Sequence, residues 1–205
     1  MGRPRVHDEQ TRAALRAAAE QLVAEGGAAA FSVRAVAQRA GTSTRAVYSL
    51  FGSKEGLLVD ALAQEAFTFL ADGMDALAET DDPVSDLVDV GASVFRRLVL
   101  EHPGLYRIAF QRVVPNFQAG PELTEARERS LSRLVAKVQR VADAGLLGTT
   151  SARDGAVAYN AMAEGLANSE LRGTTLSILP EGDEERAWRD ALTTLVRGFD
   201  SSAPA

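Results

Sequence analysis

The chain has 205 residues, 46% of them hydrophobic and 24% charged, a balance close to that of ordinary globular proteins and far from disordered or fibrous ones. A chain of this length buries roughly 70% of its unfolded surface, so it needs no disulfide or metal to hold it together. Cys is absent, which removes disulfide frameworks, thiolate metal sites and cysteine nucleophiles together, and the two His residues, His7 and His102, stand in no metal-binding spacing. No metal and no cofactor is expected. No apolar run approaches the ~20 residues of a membrane span and no signal-type apolar region follows the start, so a soluble, cytoplasmic protein with no membrane partner is expected.

The net charge of −6 is unevenly spread. Residues 1–57 carry eight cations against five acids, whereas residues 58–205 carry fourteen against twenty-three. A basic head on an acidic body suits a chain that holds one end against phosphate and repels it elsewhere.

Helix signals dominate in chain order. A first helix is predicted over about Asp8–Glu25, with Leu15, Ala18 and Leu22 on one face and Gly26-Gly27 at its end. Ser32 is placed to cap a short second helix that carries Val33, Val36 and Ala37 inward and stops at Gly41. Ser43 then caps a third, Thr44–Leu50, and Ser53 a fourth that reaches about Glu79. Asp82-Pro83 starts a helix ending before His102-Pro103, and a short one follows from Leu105 to Gln111. Pro121-Glu122 opens a long helix that Gly145 ends. Ser151 opens another that runs to Leu171, and the last spans about Asp183 to Phe199. The fold class is therefore all-α, with about nine helices: an N-terminal three-helix head, residues 1–55, on a larger helical body, residues 56–205.

Two short helices joined by a tight Gly turn form a helix-turn-helix candidate. With Val47 and Phe51 turned inward, Thr44, Arg45, Tyr48 and Ser49 face outward. Arg is the commonest reader of guanine edges, and Thr offers a hydroxyl or a methyl to thymine. Tyr48 can place its hydroxyl on a phosphate, and Lys54, with the amides that open the fourth helix, makes a second phosphate site.

The stretch Phe31-Ser32-Val33-Arg34-Ala35-Val36-Ala37, then Ala40-Gly41, then Tyr48 through Leu58, resembles the N-terminal domain of TetR-family transcriptional repressors. In that family Ser or Thr caps the second helix, Tyr ends the recognition helix, and Phe-x-x-Lys-x-x-Leu opens the fourth; all are present in order. Leu50 departs from it, standing where many members have His or Tyr. The resemblance implies that Ser32 and Arg34 meet phosphates, that Ser43, Thr44, Arg45, Tyr48 and Ser49 face the groove, and that Lys54 clamps the backbone. Arg3 and Arg5 are similar to basic arms that reach a minor groove, whose negative potential attracts Arg when it is narrow. The implied partners are a double-stranded DNA operator, a small-molecule effector and a second copy of the chain.

For the body, Phe67, Phe95, Tyr106, Phe110, Phe117, Tyr159 and Met162 are the candidate lining of an effector cavity, and their character points to an apolar or aromatic ligand. Ala158, Ala161 and Gly165, small residues at helical spacing, are candidate dimer contacts, together with Leu192, Leu195 and Phe199 of the last helix. No convergent set of titratable groups and no GxSxG or GxxxxGK motif occurs, so an enzyme is not expected. The expected function is a ligand-responsive regulator, most simply a repressor released from a palindromic operator. The competing reading is a helical carrier or sensor, or an enzyme, that keeps the fold without DNA binding.

Overall fold

The computed structural model describes residues 4–53, 56, 61–111, 119–174 and 178–200. All their regular structure is helical: α1 Pro4–Ala30, α2 Val33–Arg39, α3 Thr44–Phe51, α4 Leu62–Ala76, α5 Pro83–Asp89, a π-helical stretch Val90–Phe95, α6 Arg96–Glu101, α7 Pro103–Phe110, α8 Pro121–Asp143, α9 Ala152–Arg172 and α10 Glu184–Asp200. With residues 83–101 counted as one rod, the described residues form nine helices.

The helix starts follow from local chemistry. Each helix begins with amide groups that lack a partner within the helix, and a short polar side chain can supply one. Ser32 accepts from the Ala35 amide at 3.1 Å, Ser43 from Ala46 at 3.2 Å, and Ser53 from Gly56 at 2.9 Å. Asp82 accepts from Val84 and Ser85 ahead of α5, and Ser151 from Asp154 ahead of α9. The ends are equally local. Gly41 turns at φ 66°, the Thr42 amide reaches back to the Ala37 carbonyl, and Gly41 donates to Gln38, so the last carbonyls of α2 are satisfied.

Two expectations about length change. α1 begins at Pro4 rather than Asp8, because proline lacks only an amide hydrogen that a first helical turn leaves unpaired. Gly27, at φ 64° and ψ −164°, interrupts it where the glycine pair predicts. α4 stops at Ala76, three residues short of Glu79. Beyond it the chain turns so that the Thr80 amide and hydroxyl both donate to Asp86, at 2.8 Å each.

The chain divides into two compact units, residues 1–68 with 101–127, and residues 69–100 with 128–205. In the first, α2 and α3 pack on each other and on α1, burying Leu15, Ala19, Val23, Phe31, Val36 and Val47. α7 also lies on α1, with Gly104 so close that a Cβ there would stand 2.4 Å from the Glu20 carbonyl oxygen. His102 Nδ1 lies 3.0 Å from the Glu20 carboxylate, and Arg107 donates to the Ala24 carbonyl at 3.3 Å.

In the second unit α10 packs on α9, on α5 and on the π-helical stretch. Trp188, Leu192 and Val196 form its buried face. Glu170 of α9 ties three elements together: it takes a two-donor contact from Arg96, at 2.7 and 3.1 Å, and the Trp188 indole N–H at 2.9 Å. Acids on α4, just beyond it and in α5 meet bases on α8 in a row: Asp72 and Asp75 with Arg129, Asp75 with Arg133, Glu79 with Lys137, and Asp86 with Arg140. These bases recur at helical spacing on one side of α8.

Candidate nucleic-acid interface and body interior

The side chains of α3 divide cleanly. Val47 is fully buried, while Thr44, Arg45, Tyr48 and Ser49 are exposed, Tyr48 at 54% despite its aromatic ring. An exposed tyrosine beside an exposed arginine on an eight-residue helix presents donors, a cation and a flat ring outward with no protein partner to absorb them. Arg45 pairs with no acid among the described residues. Ser43 and Ser32, both exposed, spend their oxygens on capping the first turns of α3 and α2. Two helix N-termini with a positive dipole end thus flank Arg34 and Arg45. Arg39, by contrast, is committed: Glu25 binds both its terminal nitrogens at 2.8 Å, and that hydrogen bond lowers the Glu25 carboxyl pKa below its ordinary value.

Of the sequence-predicted set, Ser32, Arg34, Ser43, Thr44, Arg45, Tyr48 and Ser49 are all exposed, on or just ahead of the paired helices α2 and α3. Arg3 and Lys54 lie outside the described residues, as does the side chain of Arg5. Sequence reasoning missed Arg12. Its guanidinium donates to the Leu50 carbonyl at 2.9 Å and lies 5.2 Å from the centre of the Phe51 ring. Nothing local signals a contact across 38 residues.

The expected effector-lining residues fall into separate groups. Phe67 and Tyr106 are buried and Phe110 is half-buried in the first unit, with ring centres 5.5 Å apart for Phe67 and Phe110 and 5.3 Å for Tyr106 and Phe110. Phe95 and Tyr159 are buried in the second, where Phe95 packs 6.3 Å from Trp188 and Tyr159 donates to the Leu87 carbonyl. Phe117 lies outside the described residues. Met162 stands apart from both groups: it is 36% exposed, because the inward face of α9 is made by Ala152, Gly155, Ala156, Tyr159, Ala163 and Ala167.

The candidate dimer contacts also divide. Ala161 and Gly165 are exposed, Ala158 is half-buried, and a Cβ on Gly165 would meet nothing within 4 Å. Val157, at 70% exposure, lies on the same side of α9. Leu195 and Phe199 are half-buried on α10, but Leu192 is fully buried within the protomer. The reason is steric: Leu192 reaches so close to Gly91 that a Cβ there would be 2.4 Å from its Cδ1. The apolar stripe that includes Trp188 thus continues into the core through Leu192 and Val196, not through Leu195 and Phe199.

Among the described residues no helix is long and apolar enough to cross a membrane, and no cluster of His, Asp and Glu has the arrangement of a metal site.

Comparison with known proteins agrees with this geometry. The family model described as "Bacterial regulatory proteins, tetR family" matches residues 15–61, and that for the "Tetracyclin repressor-like, C-terminal domain" matches residues 88–195, more than half of the chain. The HTH-type transcriptional regulator Rv1816 of Mycobacterium tuberculosis is 29% identical over 126 residues, which cover 60% of this chain and 53% of that protein. The chain thus aligns with about half the length of the curated relatives it matches. Among solved structures, a protein of unknown function from Rhodococcus sp. RHA1 superposes with a TM-score of 0.74 at 25% identity, covering 92% of this chain and 94% of that one. The regulator FadR from Bacillus subtilis, solved in complex with stearoyl-CoA, gives a TM-score of 0.68 at 20% identity over 91% of this chain and 98% of its own, a likeness of fold. On its two matched domains and its exposed recognition helix, the chain belongs to the TetR family of bacterial regulatory proteins.

Proposed function

We propose that the protein is a homodimeric transcriptional regulator that acts in the cytoplasm, reads a palindromic operator through α3 and releases it when a small molecule binds the body. The observation that carries this is the outward set Thr44, Arg45, Tyr48 and Ser49 on a helix whose inward side is held by Val47. The reading head extends to about residue 55, and the remainder serves effector binding and dimerisation. Two such heads about 34–36 Å apart, or a multiple of that, meet successive major grooves on one side of the duplex. The second copy docks on the exposed side of α9 and α10, through Ala158, Ala161, Gly165, Leu195 and Phe199. Arg3, Arg5 and Lys54 add contacts to the DNA backbone or minor groove.

The effector is apolar or aromatic and is enclosed by rings such as Phe67, Tyr106 and Phe110. Support for that class comes from the character of these side chains and from the acyl-CoA in the FadR relative. Such a ligand releases DNA only by binding better to the arrangement of heads that does not fit the operator, since equal affinity for two states shifts neither. The role is that of a regulator and not of an enzyme.

The test is Arg45→Ala, assayed on DNA selected by the wild-type protein and on random DNA. A loss of about 1–3 kcal/mol on the selected site, with relaxed preference at one base pair, is expected for an arginine that reads a base edge. An equal loss on both DNAs would remove Arg45 from the reading set.

A further inference from the structure

The geometry points to Arg12 as a positioning residue for DNA recognition, a clamp from α1 that sets the tilt of the recognition helix without touching DNA itself. The inference rests on α3 being the reading element.

α3 has eight residues and one fully buried side chain, Val47. A helix that short does not hold its shape or direction alone, so its orientation comes from what fastens it to the rest of the head. Its final carbonyls need partners from outside the helix. The Gly52 amide takes Tyr48 at 3.0 Å and the Ser53 amide takes Phe51 at 2.8 Å. The Leu50 carbonyl is taken by Arg12 Nη1, at 2.9 Å.

The same guanidinium lies 5.2 Å from the centre of the Phe51 ring, so one flat group holds the last two residues of α3 at once. A cation there also stands at the negative end of the helix dipole. Glu9, one turn earlier on α1, lies 3.9 Å from Arg12 Nε and 4.0 Å from Arg16, which keeps the cation turned along α1. Val47 and Arg12 therefore hold α3 at its middle and at its C-terminal end. With the second removed, the helix pivots on Val47, and Thr44, Arg45, Tyr48 and Ser49 all shift together. Hydrogen bonds to base edges weaken steeply with distance and angle, so the loss spreads over several base pairs.

This separates the clamp from a phosphate contact. A phosphate ligand contributes equally on all DNA and adds about 0.9 to the slope of log affinity against log salt. A clamp contributes to discrimination and leaves that slope in place.

The experiment measures binding to selected and random DNA across a salt series for wild type, Arg12→Met, Arg12→Lys and, as the phosphate comparison, Arg34→Ala. Arg12→Met is expected to weaken the selected site about tenfold, relax preference at several base pairs and keep the wild-type salt slope. Arg12→Lys retains the charge but loses the flat fork, and is expected to fall between Met and wild type. Circular dichroism verifies that each variant is folded, and if Arg12→Met is not, the milder Lys variant decides by the same criteria. Wild-type affinity in the folded variant, or a slope reduced by about one with equal loss on all DNA, would overturn the clamp. A wild-type protein that selects no DNA would overturn the reading head itself, an outcome distinct from either.

Discussion

The hydroxyl of Tyr159 on α9 donates to the main-chain carbonyl of Leu87 at 2.5 Å and receives the amide hydrogen of Gly91. In a regular α-helix those two main-chain groups would bond each other, four residues apart. The hydroxyl bridges these two groups, the Leu87 carbonyl also takes the Val90 amide, and the π-helical stretch Val90–Phe95 adjoins them. Gly91 is required there, because a Cβ would lie 2.7 Å from the Tyr159 oxygen. Tyr159→Phe is expected to lower stability by about 1–3 kcal/mol in urea unfolding, since the buried Gly91 amide loses its acceptor and the Leu87 carbonyl keeps only the Val90 amide. Unchanged stability would mean that the rod regains its α-helical bond without cost.

The same hydroxyl gives a pH dependence. Burial pushes the Tyr159 pKa far above that of an ordinary phenol; the Gly91 amide opposes the shift and Asp89 adds to it. The folded state then holds its proton where the unfolded chain gives it up. The contribution is complete below pH ~10 and is lost as pH rises past that value. Melting temperatures from about pH 9 to 11 should therefore fall more steeply for wild type than for Tyr159→Phe. Parallel curves would contradict the assignment.

Asp86 makes the opposite case. It is 3% exposed, and although burial alone would raise its pKa, Arg140 together with the amide and hydroxyl of Thr80 holds it below the ordinary carboxylate value. Its contribution is present above pH ~4 and is lost as pH falls below that. Asp86→Ala is expected to cost about 2–3 kcal/mol at neutral pH, because the turn after α4 loses the acceptor for three donors. A cost below about 0.5 kcal/mol would show that solvent replaces it.

Two glycines should respond in opposite ways. Gly104→Ala places a methyl against the Glu20 backbone, which cannot move aside as a side-chain tip can, and about 1–3 kcal/mol of stability is expected to be lost. Gly165→Leu meets open space within the protomer. Its helical circular dichroism should be unchanged, while sedimentation shifts from dimer to protomer if α9 forms the interface. A Gly165→Leu protein that stays dimeric would place the interface elsewhere.

What the sequence revealed was mostly what a few neighbouring residues decide. Ser32, Ser43, Asp82, Ser151 and Gly173 announce helix ends because their bonds reach only two to four residues along the chain. The exposed set on α3 was legible for the same reason: Val47 and Phe51, one turn apart, mark the inward side, which leaves Thr44, Arg45, Tyr48 and Ser49 to face outward. The contacts that fix how helices meet were not. Arg12 finds Leu50 across 38 residues, Tyr159 finds Leu87 across 72, and His102 finds Glu20 across 82. No periodicity encodes such pairings. Leu192 and Leu195 show the limit within one helix, since both belong to an apolar stripe and only the position of Gly91 draws Leu192 inside. The ladder between α4 and α8 was accessible in principle, from acids at 72, 75 and 79 and bases at 129, 133, 137 and 140.

The most direct measurement is fluorescence anisotropy of the full-length protein with the intergenic DNA beside its own gene, against random DNA, at two salt concentrations. Tight binding to the intergenic DNA, far weaker binding to random DNA and a steep loss with salt are the expected result for a head that combines base reading with phosphate contacts. Absence of binding to any DNA at the lower salt concentration would contradict the regulator and leave a helical ligand carrier in its place.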